Sequence, residues 1–199
     1  FAAIASYRLL KLLKTKNKNI FALCSLLFAL CVLIWPLSFI QIYNHNNTRV
    51  DATNWLLKNI PSGKKILVEH WDDRLPLSQS EQYMIEDLEL YNPDTLQKWQ
   101  KINDQLKKAD YIIIASNRLY TPLQKLTNCN KLPMYRCYPE TAVYYKQLFS
   151  EKLGFQKIVE FSNYPTIPFL NLKIDDQSAD ESFTVYDHPT VFIFEKNKK

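Results

Sequence analysis

Hydrophobic residues fall in one long block followed by short ones. From Ile20 to Ile42 the chain reads IFALCSLLFALCVLIWPLSFIQI, 23 positions without a charge. At a helical rise of about 1.5 Å per residue this spans roughly one hydrocarbon core, whereas a buried core helix seldom stays wholly apolar beyond about 14 residues. The stretch is read as a transmembrane helix, in which Pro36 is tolerable because a kink can be re-satisfied locally. A signal peptide is the competing reading, but the run exceeds the roughly 7 to 15 apolar residues of such a segment and no small-residue cleavage site follows cleanly.

Beyond a polar linker over 43–48, which holds the sequon Asn46-Asn47-Thr48, the blocks shorten. The spacing predicts a helix over 49–59 with Val50, Trp55, Leu56 and Ile60 inward, a capping box at Thr48 and Asp51, and a stop at Pro61-Ser62-Gly63. KILVE at 65–69 and DYIIIA at 110–115 have the branched apolar character of buried strands. Between them, MIEDLELY fits a strand or a helical turn, and Asn92-Pro93-Asp94 a turn with an N-cap. TLQKWQKINDQLKKA then places Leu96, Trp99, Ile102 and Leu106 on one helical face. Strand, helix and matching strand imply a right-handed crossover with parallel neighbours. A helix from Pro139 capped by Gly154 and a third strand, FQKIVEF, follow. Pro165 and Pro168 break the chain before an acidic excursion. FTVYDHPTVFIFEK reads as two short strands around Asp187-His188-Pro189, a hairpin or edge element.

The fold class is therefore α/β: one C-terminal transmembrane helix followed by a Rossmann-like three-layer extracytoplasmic domain. Segment 1–19 is a cytoplasmic loop and the end of a preceding helix, 20–42 the span, 43–48 the linker and 49–199 the outer domain. The chain opens on FAAIASYRLLKLLK, which reads as the tail of an earlier helix, so a longer parent protein is expected.

Charge changes the picture only when divided by region. Of 25 Lys and Arg, five precede residue 49, where no Asp or Glu occurs, leaving 20 basic and 20 acidic groups in the rest. The net charge of +5 is thus a topology signal. Arg8, Lys11, Lys14, Lys16 and Lys18 lie before the span and the next basic residue is Arg49, which places the N-terminal side in the cytoplasm. No basic stripe is left for a nucleic-acid partner. Only Gly63 and Gly154 are glycines, too few for a phosphate-cradling loop, so no nucleotide cofactor is expected. Cys24 and Cys31 are apolar filler in the span. Cys129 and Cys137 bracket a polar loop on the oxidising side, where a disulfide can close it.

Ligands of open α/β sheets sit beyond the carboxyl ends of adjacent parallel strands. Those ends carry His70, Trp71, Asp72 and Asp73 after the first strand and Asn117, Arg118 and Tyr120 after the second. Arg118 suits a phosphate or sugar hydroxyl, Trp71 and Tyr120 suit stacking on a sugar ring, and the Asp and Asn groups suit hydroxyls. The bland alternative is an Arg–Asp lock between loops, with Asp72 or Asp73 paired to Arg74 or Arg118. His70, Asp72 and Asp73 lack the further ligands of a metal site. Asp175, Asp176, Asp180 and Glu181 do not match a calcium loop, and a solvated acidic loop is expected. His188 orders the terminal hairpin. No nucleophile elbow or triad is recognisable, which disfavours an anchored hydrolase.

The phrases DATNWLLKNIPSGKKILVEHWDDRLPL, LYNPDT, ADYIIIASNRLY, YYKQLFSEKLGF and ADESFTVYDHPTVFIF together resemble the C-terminal extracytoplasmic region of prokaryotic multi-spanning glycosyltransferases. These are similar to the dolichyl-phosphate-mannose protein mannosyltransferases and share the GT-C membrane fold. The likeness covers nearly all of 49–196. It implies a cell-membrane enzyme that moves a sugar, such as mannose, from a polyprenyl-phosphate donor to an extracytoplasmic acceptor, with membrane lipid as a further partner. The family's essential acidic residue lies in an early loop that this chain does not contain, so no catalytic residue is carried over. The rival expectation is a non-enzymatic, single-span binding or assembly module.

Overall fold

The computed structural model describes residues 18–197. Arg8, Lys11, Lys14, Lys16 and the predicted cytoplasmic segment up to residue 17 lie outside the described residues. The described chain divides into two units, one comprising 18–44 with 164–174, the other 45–163 with 175–197.

In the first unit, α1 (Lys18–Ile40) runs through Pro36 into a one-turn 3₁₀ helix, Gln41–Asn44. Pro36 cannot donate its own helical bond, and two residues on, the Ser38 hydroxyl donates to the Ile34 carbonyl at 2.7 Å. Leu23, Leu26, Leu27, Leu30, Leu33 and Leu37 are exposed, so α1 is apolar on every side with no core to cover it. A helix of that kind is long and apolar enough to cross a membrane. The helix stands near the N-terminus of this chain, not at its C-terminal end, and precedes the α/β unit. Within the same unit a short hairpin, Thr166–Ile167 paired with Leu172–Lys173, packs beside the carboxyl end of α1. The chain break at Pro165 and Pro168 thus holds two unforeseen strands.

The second unit is built on a mixed five-stranded sheet. Its strands are β1 (Lys65–Glu69), β2 (Met84–Leu88), β3 (Tyr111–Ile114), β4 (Phe155–Phe161) and β5 (Val191–Lys196), in the order β2-β1-β3-β5-β4. β1 runs parallel to both β2 and β3, with Leu67 opposite Ile112. MIEDL is therefore a strand, and the crossover helix joins β2 to β3, passing over β1. The expected parallel pairing of the KILVE and DYIIIA strands holds.

The terminal segment departs from expectation. Only its second half is a strand, and β5 lies in the sheet interior, antiparallel to both β3 and β4. Its alternating Val191, Ile193 and the neighbouring Phe194 are buried because both faces of the sheet are covered. The first half forms a single helical turn, Glu181–Thr184, capped by the Asp180 carboxylate on the Ser182 amide.

Helices lie on both faces. α2 (Thr48–Asn59) packs Ala52, Leu56 and nearby Ile60 against Ile66, Val68, Ile113 and Ile193. α3 (Leu96–Lys108) and α4 (Pro139–Phe149) cover Leu67, Ile112, Ile114 and Phe194 with Ile102, Leu106, Tyr145 and Leu148. Each fully buried aliphatic or aromatic side chain contributes about 1.5 to 3 kcal/mol.

Several predicted details shift. Asn47, not Thr48, caps α2 by accepting from the Arg49 amide, because Thr48 is turned to the Pro189 carbonyl. Val50 and Leu96 point outward, and Arg49 and Lys98 are buried in positions the apolar pattern left polar. α4 ends with Glu151 at φ 60°, where the chain reverses, so Gly154 (φ 85°) opens β4 without capping the helix. Cys129 and Cys137 form the expected disulfide, Cα to Cα 5.4 Å, while Cys24 and Cys31 are free thiols.

Candidate functional site

The carboxyl ends of β1 and β3 bring the predicted residues together, but in two layers. The inner layer is a closed lock. Arg49, in the first turn of α2, places Nη2 3.1 Å from Asp72 Oδ1, with the side chains 7% and 1% exposed. Its Nε also approaches Asp73 Oδ2 at 3.2 Å, an ion contact lacking hydrogen-bond alignment. The second oxygen of Asp72 accepts from the Ser116 hydroxyl, and Ser116 Oγ in turn accepts from the Arg118 amide at 3.2 Å. Asn117 donates to the Thr184 hydroxyl at 2.8 Å and is buried. Asp72 and Asn117 thus hold the loops through these bonds. The partner of Asp72 is neither Arg74, which grips Asp87, nor Arg118.

Beneath this lock, Glu69 accepts from the Tyr145 hydroxyl, and its second oxygen has no hydrogen-bond partner among the described residues. Burial pushes its carboxyl up to about 8, the Tyr145 bond opposes the rise, and the nearby Asp72 charge adds to it. Burial likewise raises Tyr144 and Tyr145 well above the usual phenol range.

The outer layer is an exposed aromatic face. Trp71 is 62% exposed with φ 75°, a left-handed conformation that costs a bulky residue on the order of 1 to 3 kcal/mol. The surrounding loop holds it there, since Arg118 Nη1 donates to the Trp71 carbonyl at 2.8 Å. His70 meets the Trp71 ring edge-on at 5.2 Å, Tyr91 lies 6.4 Å from it, and Tyr91 stacks on Tyr138 at 6.0 Å. The Arg118 guanidinium also sits 5.5 Å from the exposed Tyr186 ring. A half-exposed cation that bonds the Trp71 carbonyl and lies over the exposed Tyr186 ring can meet a polar ring and an anionic group together.

Tyr120 is not part of this face. It turns into an aromatic cluster with Phe149 at 5.1 Å, Tyr145 and Phe192, away from Trp71. Tyr91 and Tyr186 were missed. The signal for Tyr91 was an aromatic three residues beyond a strand end, legible only once MIEDL is known to be that strand.

The acidic excursion is only partly solvated. Asp176 is buried and meets His188 Nε2 at 2.8 Å, which ties the segment to the start of β5. No group of three or more His, Cys, Asp or Glu side chains placed to hold a metal occurs among the described residues. A cleft of about 850 Å³ opens at the opposite end of the sheet, lined by Leu106, Leu153, Phe155 and Lys196, and contains none of the candidate residues.

No family model, no curated protein and no solved structure matches the chain.

Proposed function

We propose that this chain is the C-terminal part of a membrane glycosyltransferase of the GT-C class: its last span followed by an outer α/β domain. The intact enzyme would move a hexose from a polyprenyl-phosphate donor to an extracytoplasmic acceptor. The likeness of five phrases over 49–196 carries the reading. Two structural features support it, the all-round apolar α1 ahead of the α/β unit and the aromatic face edged by Arg118. In this reading the parallel β2-β1-β3 strands form the Rossmann-like part, oriented outside the cell, and the domain positions substrate without performing the chemistry.

Trp71 offers an apolar plane to the sugar ring, with Tyr91 beside it, and Arg118 binds a phosphate oxygen or hydroxyl with the donors left by its bond to Trp71. Losing a charge-assisted hydrogen bond of about 1.5 to 3 kcal/mol predicts a fall in transfer of about tenfold or more for Arg118→Ala in the full-length enzyme. Trp71→Ala gives a comparable fall. Unchanged transfer with a lower melting temperature in both variants contradicts a role for this face.

The rival, a single-span binding or assembly module, needs no further membrane helices. The coding sequence upstream of Phe1 separates the two, since about ten additional hydrophobic spans belong only to the transferase.

A further inference from the structure

The hairpin of the first unit carries apolar side chains that nothing in the α/β core claims. From Phe161 to Leu172 the chain has 12 residues without a charge, FSNYPTIPFLNL. The turn between the two short strands is built with Phe169 at φ 66° and Asn171 at φ 53°, both left-handed. Phe169 is fully exposed, and Leu170 and Leu172 are 64% and 56% exposed. At the base the character changes. Ile174 N–H closes onto the Pro165 carbonyl at 2.8 Å, and the Lys173 ammonium lies 6.0 Å from the Tyr164 ring. An apolar tip above a Tyr and Lys base is the side-chain order of an element resting in a lipid headgroup region.

Its placement fits the same partner. The hairpin packs beside the carboxyl end of α1 and the turn Gln41–Asn44. That end of α1 carries an aromatic ladder, Trp35 to Phe39 at 6.5 Å and Phe39 to Tyr43 at 6.2 Å, the composition of a membrane-interface belt. The exposed apolar tip therefore continues the apolar surface of α1 at its belt.

We propose that residues 164–174 form an interfacial foot, with Phe169 and Leu170 seated in the headgroup–acyl boundary of the bilayer beside α1. The partner is the lipid surface itself. The foot fixes the rotation of α1 about its axis and the height of the first unit, as paired anchors do for interfacial elements. This inference rests on the reading of α1 as a membrane span.

The test uses the full chain in phosphatidylcholine vesicles, with Cys24→Ser and Cys31→Ser and the disulfide intact. A bimane label is attached at Phe169→Cys, at Leu30→Cys in mid-α1, or at Gln100→Cys on the exposed face of α3. Phe169 is fully exposed, so its replacement leaves the packed structure untouched. The label at 169 is expected to be quenched several-fold more by a shallow spin-labelled lipid than the label at 100, and several-fold less by aqueous iodide. Equal iodide quenching at 169 and 100, with the label at 30 still quenched by a deep spin-labelled lipid, overturns the foot alone. Loss of deep quenching at 30 overturns the span and, with it, the foot.

Discussion

Arg49 and Asp72 show at the scale of single residues how a candidate site and a lock share one strand end. Asp72 is nearly sealed, so removing Arg49 leaves a buried carboxylate without its cation. Arg49→Met is expected to destabilise the protein by about 3 to 5 kcal/mol, read as a lowered melting temperature of the full chain in detergent. Arg118→Ala, by contrast, is expected to leave the melting temperature nearly unchanged, since Arg118 is half-exposed and its one bond to Trp71 lies at the surface. Glu69 gives a pH dependence with a defined sign. Its folded value of about 8 lies above the ordinary 4.5, so between those values the unfolded state has released a proton that the folded state retains. Stability from this group therefore falls as pH rises from about 4.5 to about 8 and changes no further beyond, by a few kcal/mol in order of magnitude. Glu69→Gln keeps an acceptor for Tyr145 and removes the titration, so its melting temperature should decline less between pH 5 and pH 8 than that of the native chain. Parallel declines would show that the Glu69 carboxyl does not titrate in this range. The Asp cluster at 72–73 was legible in sequence as lock or ligand, but Arg49 was not, because its burial depends on a long-range meeting of α2 with the β1 loop.

Among elements, the joint between α3 and α4 is the most tightly specified. Lys98 is buried at the start of α3, where its ammonium has three protons to share among the Leu90 and Asn92 carbonyls, Asp94 Oδ1 and the Thr141 hydroxyl oxygen, all 2.7 to 2.8 Å away. Asp94 Oδ2 accepts from the Glu140 and Thr141 amides and so caps α4 while paired to α3. Burial works to raise the Asp94 carboxyl, but the Lys98 and Thr141 bonds outweigh it and hold the group below its ordinary range. The contribution is present above the ordinary carboxylate value and is lost as acid protonates the folded form. Asp94→Ala is expected to cost about 3 to 5 kcal/mol by thermal unfolding at neutral pH, because it strips both the Lys98 pair and the α4 cap. Asn92-Pro93-Asp94 was readable as a turn with a cap. α4 was readable as a helix from Pro139, but its capping by Asp94 was not, since nothing local links residue 94 to residue 140. For the same reason β1 and β3 were legible as branched apolar runs, whereas the interior position of β5 was hidden. A Pro-flanked terminal strand looks like an edge until Phe161 and Ile114 supply its neighbours.

At the scale of the molecule, α1 was the most legible element, since 23 uncharged positions need no tertiary partner to declare themselves. The proposed topology predicts that, in intact cells, a membrane-impermeant maleimide labels Gln100→Cys in a Cys24→Ser, Cys31→Ser background without permeabilisation. Labelling only after permeabilisation would place the α/β unit in the cytosol and contradict the outward assignment. The candidate face was only half legible, because Tyr91 reaches the Trp71 ring and Tyr186 reaches Arg118 only through the fold. The most direct measurement is transfer of labelled hexose from a polyprenyl-phosphate donor by membranes carrying the full-length parent. The account predicts transfer that falls by well over about tenfold, further than in either single variant, when both Trp71 and Arg118 are replaced by Ala, at an unchanged melting temperature. No transfer above membranes lacking the protein, or full transfer after residues 45–199 are deleted, would contradict it.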